Sequence, residues 1–441
     1  MPFKISDNVK VVFRTLDYRN FRLFFAGQLI SLIGTWMEMI AMSWLVYRMT
    51  NSVFLLGIVG FSSQIPAFLL SPITGVMADR WDRHKTLIVT QTLSMVQAFT
   101  LAVLTLTGVV EVWHIIALGI FLGCVNSLDM PARQSFIVEM VEKKENLSNA
   151  IALNSLMFNA ARLIGPSLAG IVVAMIGEGP CFLLNGISFF AVIASLLAMK
   201  INERPAANKG PARLMEDIKE GFMYAFGFVP IRLILFLLSV ISLMGASYVV
   251  LMPVYARDIL HGGPEAFGFL MSAAGIGAMA ATIYLASRKS VLGLGRMMPI
   301  YSSIFAGALI LFSMSRVLWL SLVLMVFIGY GFMAHMAASN TILQTIVDDD
   351  KRGRVMSLYV MSFIGVAPVG SLLAGSLAST IGVTWTLIIG GVTCIGASIY
   401  FAGKLPLIRQ HIHPIYRKIG IIKEVASGIG AATGMSVPPE D

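Results

Sequence analysis

Apolar residues run in long blocks along this chain, separated by short polar connections. The blocks cover 21–47, 52–78, 86–107, 112–130, 148–176, 180–200, 231–252, 265–286, 297–314, 318–340, 356–379 and 383–403. A helix needs roughly 20 apolar residues to cross the hydrocarbon of a bilayer, and the blocks are of that length. A backbone in lipid must satisfy its own hydrogen bonds, so the blocks are predicted to be membrane-spanning α-helices. A barrel would show short alternating segments instead. The expected fold is an all-α membrane protein of twelve transmembrane helices.

Composition narrows this further. Of 441 residues, 57% are hydrophobic and only 12% charged, against about 25% charged in soluble domains. Every Lys and Arg except Arg48, Arg162, Arg257 and Arg316 falls before or at the very start of the first block, after the last, or in alternate connections and the block-end residues beside them (Lys200, Arg232). The positive-inside rule then puts both termini in the cytoplasm. It also accounts for the net charge of +9 without a nucleic-acid partner. The first block is too long for a signal-peptide core and lacks a small-residue cleavage site, so it is expected to remain as helix 1. Cys124, Cys181 and Cys394 lie inside apolar blocks and read as small packing residues rather than a disulfide framework or a metal site.

The longest basic connection sits mid-chain. The domains expected are an amino-terminal half (1–200), a linker (201–230), a carboxy-terminal half (231–403) and a tail (404–441). Leu214, Ile218 and Phe222 recur every four residues in the linker, so part of it is expected to lie on the membrane surface as an amphipathic helix. An internal repeat supports two related halves. Gly165-Pro-Ser-Leu-Ala-Gly170 corresponds to Gly370-Ser-Leu-Leu-Ala-Gly375, which brings Ile137–Val141 onto Ile342–Ile346 without gaps. Halves related in this way place a substrate site at their interface near the midplane.

The connection after block 2 reads Gly75-Val-Met-Ala-Asp79-Arg80-Trp-Asp82-Arg83-His-Lys85, and block 5 contains Asn159-Ala-Ala161-Arg162-Leu-Ile-Gly165-Pro166-Ser-Leu-Ala169-Gly170. These, with the run from Tyr18 to Phe25 and Pro131-Ala-Arg-Gln, resemble the major facilitator superfamily. Within it they look most like the branch of enterobactin exporters and transmembrane secretion effectors. The superfamily pattern of the first motif is Gly-x-x-x-Asp-Arg-x-Gly-Arg-Arg/Lys; this chain departs from it with Asp82 in place of Gly. The resemblance implies two pseudo-symmetric six-helix halves, a multi-pass bacterial inner-membrane location, transport by alternating access and a monomer. It also implies a conformational latch in which Asp79 docks on the start of helix 11. We expect Gly75, Asp79 and Arg80 to form it, with Arg83 and Lys85 facing Asp348, Asp349 and Asp350; a solvated loop that only sets topology is the alternative. Ala161, Gly165, Pro166 and Gly170 make a small-residue face of the kind that lets helices approach closely, which in an exporter would pack the halves together.

Ionisable groups inside apolar blocks are costly and usually face a bundle interior or cavity. Glu38 lies roughly 6 Å from the midpoint of its block at about 1.5 Å per residue. It shares a helical face with Gln28, Ser31 and Thr35. Ser155, Asn159 and Arg162 form a similar set in block 5. Helices 1 and 5 meet in the family fold, so Glu38 and Arg162 are expected to be partners in the central cavity. Glu38 would be the titrating member, since Arg keeps its proton. The alternatives are a static ion pair or separate roles. Asn126, Asp129 and Arg133 share a face at the end of block 4, to meet substrate or simply to complete the helix end. His335, between Gly331 and Ser339, reads as a hydrogen-bonded histidine or a proton relay.

No Gly-Lys-Ser/Thr nucleotide loop and no His-Glu-x-x-His or Gly-x-Ser-x-Gly run occurs in the sequence, so neither an ATP-driven pump nor an enzyme is expected. The function expected is secondary export of an amphipathic small molecule such as a siderophore or antibiotic, driven by a proton gradient and needing no cofactor. A lysolipid flippase or importer of the same fold, or a receptor that does not transport, stays open.

Overall fold

The computed structural model describes residues 14–140, 147–199, 214–245, 247–288, 290–348 and 351–418. Twelve helices among these residues are long and apolar enough to cross a membrane. They are α1 (Arg19–Thr50), α2 (Val53–Arg80), α3 (Arg83–Leu106), α4 (Val112–Met140), α5 (Leu147–Ile176) and α6 (Gly179–Leu197). Then follow α7 (Val229–Ile259), α8 (Pro264–Ser287), α9 (Leu294–Met314), α10 (Leu318–Ile346), α11 (Arg352–Ile381) and α12 (Val383–Gly403). Two shorter helices, Leu214–Gly227 and Leu405–Lys418, flank the second set of six. Alternate connections make two faces of the bundle: a basic face, with the start of α1, the end of α12 and the α2–α3 turn, and a sparsely charged face, with the α1–α2 and α7–α8 turns.

α3 is polar inward and apolar outward. On α3, Thr90, Gln91, Ser94 and Gln97 are buried while Val89, Leu93, Val96 and Val103 are exposed. Lipid tails are as apolar as a leucine side chain, so an outward valine loses nothing there.

Local chemistry sets the turns. α1 ends at Asn51, in the left-handed region at φ 48°, a conformation asparagine tolerates. Ser52 then caps α2 by accepting from Leu55 N at 3.3 Å. Asp82, the departure from the superfamily pattern, is the N-cap of α3: its Oδ1 accepts from Lys85 N at 2.9 Å. Its charge also meets the positive end of that helix dipole.

Helices run past several apolar blocks. α4 continues to Met140 through Pro131, although its apolar block stops at 130. Hydropathy follows the hydrocarbon thickness, whereas the helix continues for as long as its backbone ladder closes. Asp129 and Arg133 are therefore interior to α4 rather than at its end, a correction to the sequence reading. α7 and α11 each contain π-helical turns, at Ile241–Gly245 and Tyr255–Ile259 in α7 and Met361–Gly365 in α11. The linker is in part the helix Leu214–Gly227; Leu214 and Ile218 have side chains outside the described set, and Phe222 is exposed. The helix Leu405–Lys418 follows α12 and buries Ile408, Ile412 and Tyr416, one residue per turn.

Within the first six helices, α1 packs on α5 and α6, α3 on α4 and α6, and α2 on α4; α8 on α10 and α9 on α10 and α12 repeat the pattern in the second six. The sequence repeat has a direct structural counterpart. A Cβ on Gly165 would stand 2.5 Å from Trp36 Cβ of α1, and one on Gly170 would stand 2.7 Å from Pro264 O of α8. In the second half a Cβ on Gly370 would meet Leu243 O of α7, and one on Gly375 would stand 2.8 Å from Gly57 Cα of α2. Each repeat thus uses its first glycine against the leading helix of its own half and its second against the other half. α5–α8 and α2–α11 are the main contacts between the halves. Gly268 of α8 lies so close to Pro166 O that no side chain fits there.

The halves also join at the sparsely charged face. Tyr47 Oη donates to Asp258 Oδ2, and Arg257 donates to Asn51 Oδ1 at 2.8 Å. The Arg257 guanidinium lies 5.6 Å from the Tyr47 ring centre, and Trp44 stacks on Phe267. Next to them Arg48 pairs with Glu178 at 2.7 Å, within the first half.

Candidate functional site

A cavity of about 310 Å³ opens among α1, α2, α3, α4, α6 and α7. α1 contributes the face Gln28, Ser31, Thr35 and Glu38, together with Met39 and Met42. α3 contributes Gln91, Ser94 and Gln97, α4 contributes Asn126, Asp129 and Arg133, and α6 contributes Asn185. Val249 and Val250 of α7 are the contribution of the second half.

Glu38 is 4% exposed. Its Oε1 accepts from Gln97 Nε2 at 3.0 Å, and its Oε2 accepts from Asn185 Nδ2. The approach of α6 depends on Gly34, where a Cβ would stand 2.5 Å from both Asn185 Oδ1 and Ser188 Oγ. Both donors to Glu38 are neutral amides, and no cation pairs with it among the described residues.

Asp129 is held differently. Its Oδ1 accepts from Thr90 Oγ1 and Gln91 Nε2, both at 2.8 Å, and its Oδ2 pairs with Arg133 at 2.9 Å. Two neutral donors and a counter-charge leave this carboxylate satisfied where it stands.

The pairing of Glu38 with Arg162 expected from the sequence does not occur. Arg162 lies 5.8 Å from the Trp36 ring centre and reaches Tyr248 of α7, at the junction of the halves. Its Nε is buried with no hydrogen-bond partner. Trp36 and Glu38 are two residues apart, or about 200° around a helix, so they address opposite sides of α1. Sharing a helix-to-helix interface did not place the two ions on one wall. Asn159 also stands apart from the cavity lining, with Nδ2 donating to Ser155 O at 2.9 Å. Thr35 Oγ1 donates to Ser31 O at 2.9 Å.

His335 is fully buried against α9 and is not part of the lining; Nε2 lies 3.5 Å from Ser339 Oγ, and Nδ1 has no partner. Gly75, Asp79 and Arg80 belong to α2 by backbone, but their side chains lie outside the described set, as do residues 349 and 350 altogether. Asp348 accepts from Tyr224 Oη of the linker helix at 3.3 Å, and Lys85 Nζ stands 3.7 Å from Asp82 Oδ2. Glu220 of the linker helix bridges to Arg354 at 2.8 Å and Lys351 at 3.8 Å, so this helix rides on the start of α11.

Gln91, Gln97, Asn185 and Tyr248 are not among the residues expected at the site. The signal for the glutamines is present: Gln91, Ser94 and Gln97 recur every three residues inside an apolar block, which marks one buried polar stripe. Asn185 and Tyr248 carry no such pattern.

Residues 12–417 match the sequence profile of the family described as transmembrane secretion effector. The staphyloferrin A transporter of Staphylococcus aureus is 27% identical over 392 residues, covering 87% of this chain and 96% of that relative. The multidrug efflux pump Tap of Mycolicibacterium fortuitum is 22% identical over 364 residues, covering 80% and 88%. Among known structures, the nucleoside transporter NupG superposes with a TM-score of 0.66 at 13% identity, covering 88% of this chain and 99% of that one. A D-xylose–proton symporter gives 0.66 at 14% identity, covering 88% and 96%. These structural likenesses concern the fold.

Proposed function

Since the chain belongs to the transmembrane secretion effector family of major facilitator transporters, we propose that it is a proton-coupled exporter of an amphipathic small molecule. It works by alternating access in the bacterial inner membrane, with the basic face and both termini in the cytoplasm. The observation that carries this reading is Glu38: a carboxyl on the cavity wall, buried, held by two neutral amides and facing no cation among the described residues. Such a group can exist with or without its proton, and each state changes the charge of the cavity by one unit. Asp129, by contrast, is tied to Arg133 at 2.9 Å.

The relatives support the cargo class. One is named for a siderophore and another for multidrug efflux. The cavity suits amphipathic cargo, with amides and hydroxyls beside Met39, Met42, Val249 and Val250; flexible thioethers adapt to varied apolar shapes.

The test is efflux from an exporter-deficient bacterial strain and uptake into everted membrane vesicles under an imposed pH gradient. Cargo accumulation that collapses with the gradient, and is lost in Glu38→Gln, is expected. Accumulation that persists in Glu38→Gln with unchanged pH dependence would remove the coupling role and leave Glu38 a structural group.

A further inference from the structure

The helix Leu405–Lys418 carries charge of one sign. Residues 404–418 contain Lys404, Arg409, Arg417 and Lys418 and no Asp or Glu. Other cations toward the same face of the bundle have carboxylates beside them: Arg354 and Lys351 meet Glu220, and Lys85 meets Asp82. Lys404, Arg409 and Arg417 meet none among the described residues.

Packing fixes which way this charge points. Ile408, Ile412 and Tyr416 are buried, and the helix contacts α7, α10 and α12. The His411 ring stands 6.0 Å from that of Phe228, the residue before α7, so the helix rests on the basic face. Arg409, His413 and Arg417 each follow a buried residue by one position, about 100° round the helix, and all three are exposed. They form a stripe of one residue per turn, beside the packed face rather than under it. The end of α12 marks the level. Tyr400 is 51% exposed there, with Lys404 Nζ 5.7 Å from its ring centre. Tyrosine and lysine collect at the boundary between hydrocarbon and water, the lysine reaching outward to the headgroups.

We infer that this helix is a docking surface for anionic phospholipid headgroups of the leaflet on the basic face. Arg409 and Arg417 meet the phosphates from the stripe, and Lys404 meets them from the end of α12. Clustered cations on an amphipathic helix beside a spanning helix suit an anionic lipid surface. The position favours lipid over a soluble acidic partner: the helix begins at Leu405, two residues after α12 ends at Gly403, and its buried stripe ties it to the bundle. Bound headgroups then fasten the helix over the ends of α7, α10 and α12. Neither the cargo nor the coupling of transport enters into this.

The experiment is native mass spectrometry of the full-length protein in detergent, titrated with phosphatidylglycerol or with phosphatidylcholine of the same acyl chains. Each cation beside an anionic surface changes affinity about fivefold. The protein is expected to take its first phosphatidylglycerol at least about tenfold tighter than its first phosphatidylcholine. Arg409→Gln combined with Arg417→Gln is expected to remove about tenfold of that preference. Arg409→Lys combined with Arg417→Lys keeps the charge and is expected to keep the preference. Arg19→Gln combined with Arg22→Gln, at exposed cations of the same face in the first half, is expected to change it less than about twofold. All the altered side chains are exposed, and a melting curve of each variant checks its fold. Equal affinity for the two lipids overturns the inference. So does a preference unchanged in the Arg409 and Arg417 glutamine variant, or lowered as far by the changes at Arg19 and Arg22. A soluble polyglutamate peptide that binds tighter than phosphatidylglycerol, and is lost in the same glutamine variant, assigns the stripe to an acidic protein and overturns it too.

Discussion

Trp36 and Glu38 stand two positions apart on α1 and divide its surroundings between them: Trp36 meets Arg162 at the junction of the halves, and Glu38 meets Gln97 and Asn185 on the cavity wall. Glu38 and Arg162, two of the ionisable residues that the sequence singles out in the membrane, therefore stand in separate surroundings. Replacing each should have a different signature. Glu38→Gln is expected to keep the protein folded, since both amide contacts can be remade, and to abolish gradient-driven transport. Trp36→Leu uncovers a guanidinium whose Nε already lacks a partner, and is expected to lower the melting temperature while leaving the pH dependence of any residual transport intact. Thermal unfolding and vesicle flux on the same two variants check this.

The α5–α8 contact leaves no room for a side chain at Gly268, opposite Pro166 O. The obstacle is backbone, which cannot rotate aside. Gly268→Val is expected to cost about 1–3 kcal/mol by overpacking, and to lose transport even where protein reaches the membrane. Detergent-solubilised thermal stability measures the first effect. Gly295→Ala, at a position where a Cβ meets nothing within 4 Å, is the control expected to show neither.

At the sparsely charged face the halves are joined by Tyr47 with Asp258 and by Arg257 with Asn51. A hydrogen bond to a charged group contributes about 1.5–3 kcal/mol, enough to shift a two-state balance strongly. Asp258→Ala is expected to raise the rate at which a membrane-impermeant maleimide, added from outside the cell, labels a cysteine placed at Leu56 on the cavity wall. An unchanged labelling rate would show that these contacts do not hold that face shut.

Asp82 stands where the superfamily pattern has glycine, and it caps α3. Asp82→Ala is expected to destabilise by about 1 kcal/mol, and Asp82→Gly by only a few tenths. Parallel melting curves of the two variants decide it. Equal losses would mean that the carboxylate acts there by charge with Lys85 rather than as a cap.

Much of the fold is legible in the sequence. The spans follow from block length, and the two glycines of the repeat find equivalent partners in both halves. The site is legible in part. The face Gln28–Ser31–Thr35–Glu38 does line the cavity, because one-face spacing on a single helix is a local property. What fails is the pairing between helices. Knowing that α1 touches α5 does not say which side of α1 faces it, and a two-residue step decides whether an ion meets Trp36 or the cavity. The end of α4 is misplaced for a related reason: hydropathy marks where lipid stops, and α4 continues for ten residues beyond it to Met140.

The glycine contacts between the halves have a mechanical consequence. Where α5 meets α8 at Gly170 and Gly268, and where α2 meets α11 at Gly57 and Gly375, backbone lies against backbone, and the side chains that cross these contacts are small serines, Ser272 donating to Leu163 O at 2.7 Å and Ser371 lying against Gly60. Interlocked side chains resist sliding because each must climb out of its hole before it can advance. Glycine and serine surfaces resist tilt far less. On the transport reading proposed above, they are the bearings on which one half would rock against the other.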